Sequence, residues 1–506
     1  MAIKRYGAAM DATIVNAYKS NLTARGTGSN TGLADIVEVF SIYGRESTGS
    51  QELSRFLMKF PVADITIDRA AGSIPASGSV SFYLRVFNAV HSKTVPRSFT
   101  LAVSAVSRSW QEGIGLDLEN YKDETAGNEG VNWMSASNTA AWTSVGGDYI
   151  TSSGYHYSQD FSTGLEDISI DISQLVEMWM DGTQVNYGVG IRLSSSYEAY
   201  HSSSTGQDAG AIIHNPSGST TSYFTKRFFA SGSQYFFKAP VIEARWDSTI
   251  KDDRGNFYYS SSLAPAADNL NTIYLYNYIR GRLVDIPGPS TGEILLSLYS
   301  GSSNNSTPSG SKLILYDGNT NITGGWVSTG IYSASVATTA SSTPLTKLFD
   351  VWHSGATEYA TGSIIPETLS AAQTVSKPTY YLNITNLRNS YRADEIARFN
   401  LYTRNKYWSP TIYTVADAHP DSTSISSASY TVYRTIDAYN AIPYGTGSDL
   451  HTMMSYDVSG NYFDFDMANL ESGYEYAFKF AFYDNDLKSW SEQSKVFKFR
   501  VEDYEY

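Results

Sequence analysis

SFYLRVFNAV at 81–90 and FTLAVSAVS at 99–107 decide how this chain is read. In the first, Phe82, Leu84 and Val86 fall on one face, and in the second Phe99, Leu101, Val103 and Ala105 do. Successive side chains of a strand point to opposite faces, so an apolar period of two over this length marks antiparallel strands with a buried side. His91–Arg97, with Pro96, reads as the hairpin loop joining the two.

Toward the N-terminus, LADIVEVFSIY (33–43) and ELSRFLMKFPV (52–62) read as two more strands parted by GRESTGS. Pro61 breaks the second ladder, and SIPASGS at 73–79 is loop by its Pro, Gly and Ser content. Toward the C-terminus comes SWQEGIGLDLENYKDETAGNEGVNWMSASNTAAW (109–142), which sets Trp110, Trp133 and Trp142 around a long loop of acids, Asn and Gly. Beyond it Ile168, Ile170 and Ile172 alternate with polar residues until the spacing changes at Ser173. Leu175, Val176 and Trp179 then share a helical face, with Asp171 or Ser173 available as N-cap and Gly182 as the stop. NYGVGIRL (186–193) follows, and the Ser/Gly-rich run from Ser194 to Thr221 reads as exposed loop. SYFTKRFFA and QYFFKAPVIEARW close a first domain near Trp246.

Strands recur in NTIYLYNYIRGRLVDIP (271–287), EILLSLYS (293–300), KLILYDG (312–318) and GGWVSTGIYSASV (324–336), and again at Tyr474–Phe482 and Lys495–Val501. Turn-rich inserts separate them in the rhythm of a sandwich. The expected fold is therefore all-β: three tandem β-sandwich domains of jelly-roll or immunoglobulin-like kind, with one short helix around 173–181. The expected boundaries are an N-terminal arm at 1–32 and domains at 33–246, 247–376 and 377–506.

Composition narrows the chemistry. Cysteine is absent, so disulfides and thiolate metal sites are excluded. A net charge of −14 with no long basic run removes the electrostatic footprint of a nucleic-acid or membrane-surface binder. No run reaches the roughly 20 apolar residues of a membrane span, and the N-terminus lacks a secretory apolar region, so ordinary export is not expected. Charged residues make up 17% and aromatics 14%, and the 39 tyrosines suit half-buried sheets and interfaces.

Chemistry-bearing motifs are few. Asp117, Glu119 and Asp123 in the acidic loop offer hard oxygen donors for Ca2+, although the EF-hand order is missing. Glu112 with Asp117 or Glu119 could form a glycosidase carboxylate pair, but an acidic loop is more often polar surface. Gly288–Gly292 matches G-x-S-x-G but leads into a strand instead of a helix, which marks a hairpin turn. The seven histidines include no H-x-H or H-E-x-x-H pair, so a zinc site is unsupported, and a Walker A loop is absent. Trp110, Trp133, Trp142 and Trp179 suit either the core or a sugar-stacking platform. No catalytic residue is assigned, and the expected protein is not an enzyme. Trp133, Trp142 and Tyr121 are the candidate contacts to a ligand or partner, and Ca2+ is the one cofactor kept in view.

Residues 33–246 resemble β-sandwich modules of the DNRLRE and related carbohydrate-binding-module type. The resemblance rests on LMKFPV, SWQEG, the NW and AW of the loop, DISQLVEMWMDG, NYGVGIRL and KAPVIEARW. The DNRLRE hallmark itself is absent, and QELSRFLMKF stands where the family has its first core strand. The expanded loop makes the module most similar to forms found in virion structural proteins of tailed bacteriophages. That resemblance implies a non-enzymatic head-decoration, neck or tail component, assembled in the host bacterial cytoplasm. Such a component works through interfaces with itself and other virion proteins. The alternative it implies is an adhesin contacting host glycans. The C-terminal domain is similar to immunoglobulin-like or fibronectin type III domains, with Leu470, Gly473 and Tyr474 or Tyr476 in the place of a tyrosine corner.

Overall fold

The computed structural model describes residues 2–19, 21–44, 51–89, 91, 95–116, 130–202, 210–261, 265–288, 293–300, 311–339, 345–368, 379–409, 422–485 and 487–503. They form a mostly β protein of several antiparallel sheets, in a β-sandwich, immunoglobulin-like architecture. The chain divides into two compact units, Ala2–Asp247 with Asp449–His451, and Ser248–Ser448 with Thr452–Tyr506. No helix among the described residues is long and apolar enough to cross a membrane.

In the first unit the strands are β1 (Ile3–Gly7), β2 (Met10–Val15), β3 (Ile36–Tyr43), β4 (Gln51–Lys59), β5 (Ser81–Val86), β6 (Phe99–Val106), β7 (Ser135–Ser137), β8 (Ala140–Ala141), β9 (Tyr149–Ile150), β10 (His156–Phe161), β11 (Ile168–Asp171), β12 (Val189–Leu193), β13 (Tyr223–Phe229) and β14 (Val241–Arg245). One sheet runs β1-β14-β5-β11; the other runs β10-β6-β12-β4-β3-β13, with β2 on β4 and β9 on β6. The inner core takes Phe82, Leu84 and Val86 from the first sheet and Phe99, Leu101, Val103 and Ala105 from the second, the sets that the period of two selects. Leu175, Val176 and Trp179 of α2 (Ser173–Met180) pack on the same core, as their spacing predicts, and Gly182 follows the helix at φ +80°.

Four details depart from the sequence expectation. Residues 81–90 and 99–107 are not a hairpin: β5 pairs with β11 and β14, while β6 pairs with β10 and β12 in the other sheet. Alternation fixes which face is buried but not which strand lies alongside. Residues 1–32 are not a free arm, because β1 closes on β14 and β2 on β4. Pro61 ends β4 and opens a second helix, α1 (Val62–Ala70), whose Val62 and Ile65 sit in the core. Its β-branched sequence VADITIDRA hides the helix, since such residues are weak helix formers. At α2, Asp171 accepts from the Ser173 N–H at 2.9 Å and does not cap the helix.

β4 (QELSRFLMK) lacks a clean period of two and is buried along most of its length because the larger sheet is covered on both sides. Phe56 and Met58 face the inner core, whereas Leu53 and Leu57 face a second cluster with Trp110, Trp133 and Trp142. Trp110 and the residues from Val131 to Trp142 thus form a cover over the outer face of this sheet.

In the second unit, a six-stranded sheet runs in the order Asn271–Tyr276, Ile331–Val336, Ile322–Ser328, Ile294–Tyr299, Leu348–Ser354, Thr357–Ile364. Residues 312–318, expected as a strand, make only isolated bridges at Lys312 and Leu315. Two further sheets use residues beyond Tyr380, one built on Ile396–Asn405 and one on Glu475–Asp484. The tyrosine corner is formed by Tyr476, whose hydroxyl donates to the Glu471 carbonyl and accepts from the Glu471 N–H, each at 3.0 Å.

Candidate functional site

The outer face of the larger sheet carries the most unusual chemistry in the first unit, and NYGVGIRL sets it up. In β12, Val189, Ile191 and Leu193 enter the inner core, so Gly190 and Arg192 face outward under the cover. The Tyr149 ring lies directly on the strand there: a Cβ on Gly190 would stand 2.0 Å from Tyr149 Cε1. Gly147, at φ +108°, makes the turn that aims this ring, and Tyr149 Oη donates to the Gly146 carbonyl at 2.8 Å.

Tyr149 belongs to an alternating stack of aromatic rings and guanidinium groups. Arg55 lies 5.5 Å from the Trp133 ring and 5.7 Å from the Tyr149 ring, and Arg192 lies 4.8 Å from the same Tyr149 ring. Cations over aromatic faces gain most when desolvated. Arg55 is held further by Glu198, which takes Nε at 2.9 Å and Nη2 at 2.8 Å in a two-pronged ion pair, and its Nη1 donates to the Gly146 carbonyl at 3.0 Å. Burial opposes the Arg55 charge, but the Glu198 carboxylate outweighs it and raises its pKa.

Arg192 has no such carboxylate. Its Nη1 donates to Ser104 Oγ at 3.3 Å, and Ser104 Oγ is 2.8 Å from His156 Nδ1. Burial, and then the neighbouring Arg55, lower the pKa of Arg192. Burial, and then Arg192, lower that of His156, which favours its neutral ring. The Tyr149 hydroxyl is pushed up by burial and stays protonated.

Around this stack opens a cleft of about 490 Å3, within the range of small-ligand sites. Its walls add Thr143, Ser144 and Asp148 from the cover and Ser195, His214 and Asn215 from the serine-rich segment. Asp148 is occupied by the N–H groups of Thr143 and Ser144, both at 2.9 Å. The arrangement is equipped to bind a polar or charged group. Ser104 is fully buried, so its pairing with His156 offers no reachable nucleophile.

The residues singled out by sequence fall elsewhere. Asp117, Glu119, Tyr121 and Asp123 lie outside the described residues. Trp133 and Trp142 are core residues rather than a contact platform, since both rings are buried. Their indole N–H groups are spent on the carbonyls of Ala211 at 2.8 Å and Asn132 at 2.9 Å. Glu112 accepts from the Asp11 N–H at 2.8 Å, and burial raises the pKa of both carboxyls. Among the described residues, no three His, Asp or Glu side chains gather as a metal site.

Sequence reading missed Arg55, Tyr149, Arg192 and Glu198. The segment holding Glu198 is no free loop: Asn215 ties it down by donating to the Ser195 carbonyl at 2.7 Å, and Glu198 is buried. The available signal was a charge in each of two unlikely settings, Arg192 inside an apolar strand and Glu198 in a neutral serine run, whereas Arg55 stands in a strand with Glu52 and Lys59 and carries no such mark.

No family model matches the chain, and no curated protein matches it. Among solved structures it is similar to the titin immunoglobulin tandem domains A164-A165 at 8% identity, over 41% of this chain and 82% of that one, with a TM-score of 0.15. It is similar to a DUF4785 family protein from Legionella pneumophila at 9% identity, over 98% and 92%, with a TM-score of 0.14. A third similarity, to Salmonella alpha-2-macroglobulin, has 8% identity over 95% of this chain and 22% of that one, with a TM-score of 0.13. Superpositions this poor carry no argument about function.

Proposed function

We propose that this chain is a non-enzymatic structural protein of a tailed-phage virion, a head-decoration, neck or tail-associated component acting through protein–protein interfaces. The observation that supports it is an anchored but exposed tryptophan in the second unit, with further exposed apolar side chains in the same unit. Strand Ile322–Ser328 leaves Trp326 44% and Val327 43% exposed, and residues 312–318 leave Ile314 68% and Tyr316 41% exposed. Trp326 is not loose, because its indole N–H donates to Asp285 at 3.0 Å. A pre-positioned aromatic ring loses little entropy on association, which is the property of an interface anchor. The resemblance of residues 33–246 to phage virion modules supplies the setting. Mass spectrometry of gradient-purified particles of the encoding phage is expected to find the chain at a fixed ratio to the major capsid protein. Its absence from such particles ends this reading.

A second reading, a carbohydrate-binding adhesin contacting host surface glycans, is favoured by the cleft with its hydroxyl and amide walls. Because Trp133 and Trp142 are buried, the informative glycan-array comparison is wild type against Arg192→Gln. An empty array for the wild type removes the adhesin.

A further inference from the structure

The Arg55 and Arg192 guanidinium groups stand on the same Tyr149 ring, but their charges are treated differently. Arg55 presents Nε and Nη2 side by side to Glu198, the planar fork that matches a carboxylate. In Arg192 only Nη1 has a hydrogen-bond partner among the described residues, Ser104, so the equivalent Nε/Nη2 fork is open. No Asp or Glu pairs with Arg192 among those residues. Glu198 is matched by Arg55, and Asp148 by two backbone N–H groups and Arg108 at 3.7 Å. The cleft therefore holds one unmatched positive charge.

We propose that the cleft is a socket for the carboxylate of an Asp or Glu side chain on a partner protein, seated on the Nε/Nη2 fork of Arg192. The charge balance selects the ligand class. One guanidinium neutralises one negative charge, so the second charge of a dianion such as a phosphate monoester finds no unmatched cation among the described residues of the cleft walls. Thr143, Ser144, Ser195 and Asn215 provide polar groups for the peptide backbone around that side chain. Ser104, held by His156, fixes the remaining prong of Arg192, so the fork is positioned before the partner arrives. This inference rests on the interface reading above and names the chemistry of one such contact.

The test is ligand-observed saturation-transfer NMR on the full chain with three probes: N-acetyl-aspartate methylamide, its asparagine counterpart and methyl phosphate. The aspartate probe is expected to show saturable transfer that the asparagine probe lacks, with methyl phosphate at least about tenfold weaker. Acetate in a competition arm separates a bare carboxylate site from one that reads the peptide, for which acetate competes about tenfold less well. Arg192→Gln is expected to abolish the signal, and Arg192→Lys, which keeps the charge but loses the fork, to weaken it about tenfold. Equal response to aspartate and asparagine probes, tighter methyl phosphate or acetate, no transfer at all, or full binding by a folded Arg192→Lys chain each overturn the proposal. Particle composition tests the virion reading on its own, so either can fail without the other.

Discussion

The outer face of the larger sheet in the first unit and the core of the C-terminal sandwich are both rich in aromatic rings, but they are held together by different forces. In the C-terminal core the rings meet each other: Phe399 lies 4.8 Å from Phe478, Phe478 lies 4.6 Å from Phe499, and Tyr430 lies 4.2 Å from Phe463. Their contribution is area removed from water and close packing. Under the tryptophan cover the rings meet cations instead, and each buried cation must be satisfied or must wait for a partner. The first arrangement stabilises wherever it is placed. The second is costly to build, and it leaves behind a cleft with a charge to neutralise.

That contrast can be broken at several points. Phe478→Ala should have the largest effect, about 3–5 kcal/mol, because a large cavity opens among rings that cannot collapse into it. Denaturant unfolding followed by the second unit's own transition measures it. Glu198→Ala should cost the first unit about 3–5 kcal/mol by stranding the Arg55 charge, whereas the double change Arg55→Met with Glu198→Leu should cost far less. If the double variant is the worse of the two, the pair stabilises by more than mutual neutralisation. Gly190→Ala should cost about 1–3 kcal/mol, since its Cβ would displace the Tyr149 ring. Thermal melts and the near-ultraviolet dichroism of Tyr149 would show it. Tyr476→Phe should cost about 1 kcal/mol through the two lost bonds of the tyrosine corner.

A different kind of effect is a pH dependence of opposite sign in the two units. Burial pushes the Asp252 carboxyl up from 3.8 to about 6, so the folded chain binds the extra proton. Stability of the second unit should therefore fall as pH rises from about 4 to about 6 and level off above, and Asp252→Asn should remove that slope. In the first unit burial acts against Glu243, but Arg5, Arg245 and Arg85 together hold its carboxyl below the usual range. Its contribution is present at neutral pH and is lost as pH falls through the acid range. Unfolding curves collected across pH on both transitions test the two signs together.

Legibility followed the same division. The faces of β5 and β6, the α2 stripe and the tyrosine-corner region were readable because apolar spacing reports burial directly. The pairing of β1 with β14 was not, since a strand carries no local mark of a partner distant in sequence. The cleft was least readable of all. Acidic residues in an obvious loop drew notice, whereas Arg55, Arg192 and Glu198 are single charges whose meaning depends on three segments meeting. Of the tryptophans that suited either core or platform, Trp110, Trp133 and Trp142 form the core of the cover, with their donors committed to backbone carbonyls.

The closure of the smaller sheet has a kinetic consequence. Ile3 pairs with Arg245, so β1 finds its neighbour only after β2–β13 have intervened in the chain. Loop closure of that length is slow because its entropy must be lost before any contact rewards it. On a growing chain β2 can settle on β4 early, but β1 offers open hydrogen-bonding groups until β14 arrives. The smaller sheet should therefore close only once residue 245 is available, and a chain truncated before β14 should aggregate through its unpaired strand.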